Sequence, residues 1–273
     1  MTEVSELLSA YDAQLRDRVP EPLPKGVSVE RDGPLVRFFG LFGAGGGGFV
    51  SYRDLGGLSG AGVDELIARQ VRVFTERGER FEWKLHGHDR PPDLPQRLRT
   101  AGFVPEDEET VMIAPAEIVA SPPSLPDGVS LREVTDQNDL DRVDALERAV
   151  WGDDHRPLSE ALAAERDADP DGLTIIVAEG DATVVCASWV RFERGTDFAT
   201  LWGGATLPAW RGRGIYRATV AYRATLAVER GFRYIEVDAS SDSRPILERL
   251  GFLAATTTTP YVWSPASDPA AEP

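Results

Sequence analysis

Two arginines and two glycines in four consecutive positions, Arg211-Gly212-Arg213-Gly214, are the strongest chemical signal in the chain. They follow the stretch Leu201-Trp202-Gly203-Gly204-Ala205-Thr206-Leu207-Pro208 and open a long helical pattern starting at Ile215 and Tyr216. Glycine tolerates positive φ and lets the backbone pass close to a ligand. The first N–H groups of a helix have no intrahelical acceptor, and the helix dipole favours negative charge at that end. A glycine-bearing turn that opens a helix therefore suits a phosphate or pyrophosphate. Two guanidinium groups in the same turn add charge-assisted donors.

Other residue sets are weaker. Gly43 to Gly48 reads GAGGGG but lacks a following Lys-Ser/Thr and does not open a helix, so it reads as a hairpin tip. His86 and His88, two apart, would share one face of a strand, a spacing a metal accepts. No third ligand accompanies them, and the expectation is a polar strand end with no metal. Cys186, between Val185 and Ala187, reads as a small buried hydrophobe. The charges between residues 136 and 147 read as a solvated helix face.

These residues need elements to hold them. A four-proline stretch over residues 114–127 reads as a linker. After it come a strand at 129–134, helical spacing at 139–150, a second helix at 158–164, and strands at 173–178, 183–192 and from 198 on. A helix at 215–230 ends before Gly231, a strand covers 234–237, a helix 244–250 and a last strand 256–263. The order is β-α-α-β-β-β-α-β-α-β, which packs as a mixed sheet with helices on both faces.

The first half repeats the end of that order. A helical stretch ending at Gly78 leads to the strand 81–85 and then to Ala101-Gly102-Phe103, as the helix ending at Gly231 leads to Leu250-Gly251-Phe252. The spacing from glycine to phenylalanine is 25 residues in the first half and 21 in the second, the extra ones falling in the proline-rich turn at 89–95. This reads as an internal duplication. The first half has no Arg-Gly turn, only RDLGGLSGAG between Tyr52 and Val63.

Composition narrows the function. The 273 residues carry 29 Lys+Arg against 45 Asp+Glu, a net charge of −16. That balance argues against a nucleic-acid partner and against docking on anionic lipid. One cysteine excludes an internal disulfide framework and fits a reducing, cytoplasmic setting. The first residues lack the pattern of a signal peptide, and no apolar run approaches the ~18 residues of a membrane span.

Residues 127–263 resemble the GNAT superfamily of N-acetyltransferases. The resemblance rests on Arg211-x-x-Gly214 after a strand ending in Pro208, on the strand-loop-helix at 238–247, and on Leu250-Gly251-Phe252. The family pattern is Arg/Gln-x-x-Gly-x-Gly/Ala, and Tyr216 departs from it at the last position. The resemblance implies that acetyl-CoA is the co-substrate, lying in a split between the strands at 201–207 and 234–237. The pantetheine would run along Gly204, Ala205 and Thr206. The pyrophosphate would sit on Arg211, Gly212, Arg213, Gly214, Ile215 and Tyr216, with Ser240 close to the cofactor. Trp151 and His155 border the acceptor site in this resemblance. An amine would attack the thioester directly.

The resemblance leaves the catalytic residues unknown. Leu247 stands where the family often has a proton-donating Tyr, Ser240 where it often has Asn, and no Glu lies at 198–207. Tyr216, Tyr222, Tyr234 and Tyr261 are each open as a replacement for the acid.

The sequence therefore predicts an α/β (α+β) architecture of two GNAT-like mixed sheets flanked by helices, in tandem. Residues 1–116 form a degenerate half without an acyl-CoA loop, 117–127 a linker, 128–265 an acetyltransferase domain and 266–273 a flexible tail. The expected partner is a small-molecule amine, and a homodimer stays open. The alternatives are a non-catalytic acyl-CoA-binding or regulatory module and a structural scaffold of the same fold.

Overall fold

The computed structural model describes residues 3–41, 47–134, 136–152 and 158–265. Most of the glycine run at 43–48, His155 and the tail at 266–273 lie outside the described residues. The helices are α1 (Glu3–Gln14), α2 (Ala61–Arg77), α3 (Leu94–Thr100), α4 (Ala116–Val119), α5 (Gln137–Trp151), α6 (Ser159–Ala168), α7 (Ile215–Glu229) and α8 (Arg244–Arg249). The strands are β1 (Ser28–Asp32), β2 (Leu35–Leu41), β3 (Gly47–Tyr52), β4 (Phe81–His86), β5 (Val104–Pro105) and β6 (Glu109–Pro115). They continue with β7 (Val129–Glu133), β8 (Leu173–Gly180), β9 (Thr183–Phe192), β10 (Phe198–Thr206), β11 (Tyr234–Ala239) and β12 (Leu253–Trp263).

Two compact units result. The C-terminal one consists of residues 1–8, 20–25 and 110–255, and the N-terminal one of residues 9–19, 26–109 and 256–273. The sheet of the C-terminal unit runs β6-β11-β10-β9-β8-β7. It is antiparallel except where β10 and β11 run parallel. One apolar layer joins α4, α7 and α8 to Met112, Val190, Leu201, Ile235 and Val237. A second joins α5 and α6 to Ile175, Val177, Ala187, Trp189 and Ala205. Successive strand residues feed opposite layers, as the two-residue strand period requires.

The N-terminal sheet runs β1-β2-β3-β4-β12, with β5 on the far side of β12 and β3 parallel to β4. The helix-strand-helix repeat is present in both units: α2-β4-α3 and α7-β11-α8. Gly78, at φ 66°, and Gly231, at φ 82°, occupy the left-handed conformation just past α2 and α7.

The division differs from the cut at 117–127 that the sequence suggests. Residues 110–115 of β6 pair with β11, and 258–263 of β12 pair with β4. Each half therefore supplies the strand that flanks the other half's central parallel strand. Side-chain burial is the reason: Met112 and Ala114 enter the C-terminal core, while Tyr261 enters the N-terminal one. Helix α1 shows no sequence signal strong enough to place it, and its second half belongs to the N-terminal unit.

Candidate active site

Strands β10 and β11 pair only at Phe198–Tyr234, Ala199–Ile235 and Thr200–Glu236. Beyond Thr200 the parallel pairing stops, while β10 continues to Thr206 along β9. The result is a split with β10 as one wall and the end of β11 as the other. The register against β9 slips between Gly203 and Ala205, which makes Gly204 the extra residue of a bulge. Gly203 and Gly204 have φ of 70° and 98°, the region that glycine enters without strain. A side chain at Gly203 would strike Trp189, its Cβ only 2.5 Å from the indole.

The Arg-Gly turn stands next to this split. A short 3₁₀ turn at Pro208–Trp210 leads out of β10, and Gly212 (φ 73°) and Gly214 (φ 83°) carry the chain into α7. No side chain caps α7 and no acidic residue lies in its first turn. By contrast, the N-terminus of α5 is closed by Asp136, which accepts from the Asp139 N–H at 2.9 Å. The first intrahelical bond of α7 comes from Ala218 N–H to the Gly214 carbonyl. The N–H groups of Ile215, Tyr216 and Arg217 thus form the positive end of the helix. Arg211 is exposed and tied back to β10 by its Nε donating to the Thr206 carbonyl at 3.0 Å. Arg213 is exposed and stacks on Trp210, 4.7 Å from the ring centroid.

The structure brings most of the sequence-derived residues together. The Tyr216 ring lies against Gly204, so close that a Cβ on Gly204 would be 2.6 Å from Cε2. The hydroxyls of Ser240 and Ser243 stand 3.3 Å apart at the start of α8. Thr206 donates to the Cys186 thiol at 3.3 Å. Cys186 is fully buried, and burial pushes its thiol up to about 11. Leu247 is fully buried in the core beneath α8.

Two residues escape the sequence reading. Arg223, on α7, is buried, with its guanidinium donating to the carbonyls of Trp189 (3.1 Å) and Trp202 (3.0 Å) on the two strands beside the bulge. Burial lowers its pKa. Glu147, on α5, is only 3% exposed. Desolvation lifts its carboxyl to about 7, opposed by a hydrogen bond from Trp151 and reinforced by Asp144. Its charge reaches the Cys186 thiol on β9. Trp151 is exposed, so a buried carboxyl and an exposed indole stand one turn apart.

The charges at 136–147 are only in part a solvated face, with Asp136 and Asp141 exposed. Asp139, Asp144 and Glu147 are all buried. Asp139 receives Arg132, and Asp144 accepts the Leu158 N–H at 2.8 Å and pairs with Arg148 at 2.9 Å. The available signal was Glu147 sitting four residues after Val143 and three before Val150, on the apolar stripe.

The paired histidines also resolve differently from a shared strand face, because β4 stops at His86. His86 hydrogen-bonds Tyr11 at 3.0 Å, and His88 contacts both Asp12 oxygens at 3.1 Å and Thr256 at 2.9 Å. Among the described residues no group of three or more His, Cys, Asp or Glu is placed to hold a metal. Among them, too, no helix is long and apolar enough to cross a membrane.

Comparison with known proteins bears on this geometry. The family model described as the acetyltransferase (GNAT) family matches residues 140–252. No curated protein sequence matches the chain. Among solved structures, a GCN5-related N-acetyltransferase from Kribbella flavida aligns with TM-score 0.67 at 17% identity, covering 99% of this chain and 98% of its own. A GCN5-related N-acetyltransferase from Sphaerobacter thermophilus aligns with TM-score 0.63 at 14% identity, covering 97% and 87%. A tandem GNAT protein from the clavulanic acid biosynthesis pathway aligns with TM-score 0.61 at 16% identity, covering 97% and 96%. At these identities the likeness is one of fold, and it extends over both units.

Proposed function

We propose that this chain, whose residues 140–252 form a domain of the acetyltransferase (GNAT) family, moves an acetyl group from acetyl-CoA to the amine of a small molecule. The observation that carries the reading is the juxtaposition of the β10–β11 split with the uncapped, arginine-flanked start of α7. Where two parallel strands part, they leave backbone N–H and C=O groups with which a pantetheine arm can pair. A pyrophosphate needs N–H donors and positive charge at the same end. Gly204, Ala205 and Thr206 would take the arm, Arg211 to Tyr216 the pyrophosphate, and Ser240 the rim of the split.

The chemistry follows from position. A bulge at Gly204 turns a backbone N–H of β10 out of the ladder, where it can polarise a thioester carbonyl. An amine held on the α5 side then attacks directly. Alignment of two reactants is worth up to ~7–11 kcal/mol of barrier. Glu147 is the group to take the amine's proton, since a carboxyl poised near 7 balances basicity against availability at neutral pH. Trp151 would border the acceptor, and His155 is assigned there by sequence alone. The N-terminal unit serves as a partner half with no acyl-CoA loop.

Thermal unfolding with and without acetyl-CoA tests the reading. At ~100 times its dissociation constant, the ligand should add ~2.7 kcal/mol to the unit that binds it. Gly214→Glu should abolish that shift. Arg211→Glu/Arg213→Glu, which alters only exposed side chains, should weaken it without loss of fold. No shift at millimolar acetyl-CoA in the unmodified protein would overturn the reading.

One observation favours a second reading, a non-catalytic acyl-CoA-binding module: the position from which α8 would offer a hydroxyl is the buried Leu247. Saturable acetyl-CoA binding without thiol release across a panel of amines would select it.

A further inference from the structure

Arg223 is a cation in an unusual place. It stands on α7, 1% exposed, against the sheet. Its Nε donates to the Thr219 carbonyl at 3.1 Å. Its Nη1 donates to two strand carbonyls, Trp189 on β9 at 3.1 Å and Trp202 on β10 at 3.0 Å. Arg16, also buried, pairs with Asp89 at 2.7 Å, but among the described residues no carboxylate pairs with Arg223. A buried guanidinium without a counter-ion is costly unless its donors are well used. Here they are used on the peptide that leads into the glycine bulge.

That grip decides where one N–H points. Trp189 and Trp202 face each other across β9 and β10. One nitrogen reaches both of their oxygens, so the Trp202 carbonyl is directed toward β9. The peptide is planar and trans, and its N–H, which belongs to Gly203, points the opposite way. That is the side of β10 that β11 has left, since their pairing ends at Thr200–Glu236. The Gly203 N–H is thus aimed at the split. Gly203 offers this peptide little resistance to turning over, because glycine takes either sign of φ. The guanidinium supplies the resistance. A charged donor 3.0 Å from the peptide oxygen also polarises the amide, which makes its N–H a stronger donor.

Resting on the acyl-CoA reading, we propose that Arg223 is a positioning residue for acyl transfer, holding the Trp202–Gly203 peptide from behind β10 so that the Gly203 N–H faces the thioester carbonyl. Arg223 touches neither ligand nor reacting atoms and acts through that peptide alone. Its contribution grows as the amine attacks, because charge then collects on the carbonyl oxygen.

Calorimetric titration with acetyl-CoA and with S-ethyl-CoA, in which a methylene replaces the carbonyl, tests this without knowledge of the acceptor. The unmodified protein should bind acetyl-CoA about three- to tenfold more tightly than S-ethyl-CoA, the range of one hydrogen bond. Arg223→Met, apolar and of similar length, should erase that preference and leave S-ethyl-CoA binding within about twofold. Arg223→Lys, which keeps a charged donor, should restore part of it. Infrared difference spectra of acetyl-CoA labelled at the carbonyl carbon give a second readout. The carbonyl band should move to lower frequency on binding to the unmodified protein, and less far in Arg223→Lys. A preference that survives in Arg223→Met, or an equal loss of both ligands there, would overturn the assignment. Should Arg223→Met not fold, an equal band shift in Arg223→Lys and the unmodified protein would overturn it. Equal binding of the two ligands by the unmodified protein would overturn this assignment and leave the acyl-CoA reading standing, whereas no binding of either would overturn both.

Discussion

In the C-terminal unit β10 and β11 part beyond Thr200 and Glu236, and in the N-terminal unit β3 and β4 part beyond Val50 and Trp83. The same departure from parallel pairing is filled in opposite ways. In the N-terminal unit Asp89 sits at the end of β4 and accepts from Arg16 (2.7 Å), Tyr52 (2.6 Å) and the His86 N–H (2.8 Å). Trp83 donates to the Tyr52 hydroxyl, and Tyr11 bonds His86. The Arg16 and Asp89 side chains are almost wholly buried. In the C-terminal unit the walls are glycine backbone and one phenol, and the charged residues of the adjoining turn face solvent. The N-terminal split is occupied by a buried polar network. The other keeps a glycine bulge and a helix start that no side chain caps. The same helix-strand-helix order thus surrounds two splits of opposite character.

Substitutions can sharpen or break that contrast. The largest effect is expected at Asp89→Ala, which removes the nearest carboxylate of a buried guanidinium and the acceptor of a buried phenol and should cost about 3–5 kcal/mol in denaturant unfolding. A loss under about 1 kcal/mol would mean that the N-terminal split is not held by this network. Glu147→Gln comes next. The Glu147 carboxyl rises from its ordinary 4.5 to about 7 on folding, so charging it opposes the folded state. That cost is absent below the lower value and complete above the upper one. The variant should gain roughly 2–3 kcal/mol over the unmodified protein at pH 8 and nothing at pH 4, while losing acyl transfer. Equal pH–stability curves for the two proteins would contradict the desolvation of Glu147. Tyr222→Phe should be smallest, within about 0.5 kcal/mol and silent in acetyl-CoA binding, because its hydroxyl meets Glu133 in water. A binding defect in that variant would instead implicate the middle of α7.

The sequence by itself determined what depends on near neighbours along the chain. Gly212 and Gly214 need a left-handed backbone, the apolar period of 215–229 needs a helix, and together they specify a glycine turn that opens a helix. The glycine past α2 and the one past α7 end the first helix of each helix-strand-helix unit, and the alternation in 183–192 specifies a strand. Tertiary structure decided everything that depends on which distant groups meet and lose water. Residues 16, 52, 86 and 89 form one buried network only after the fold gathers them. Strands β6 and β12 change units because Met112 and Tyr261 find their cores there. Glu147 turns from a surface charge into a neutral-range acid because α5 lays it against the sheet. Tyr216 meets Gly204 because α7 starts beside the bulge of β10. Backbone preference is local and can be read residue by residue. Desolvation and contact belong to the whole chain and exist only once it has folded.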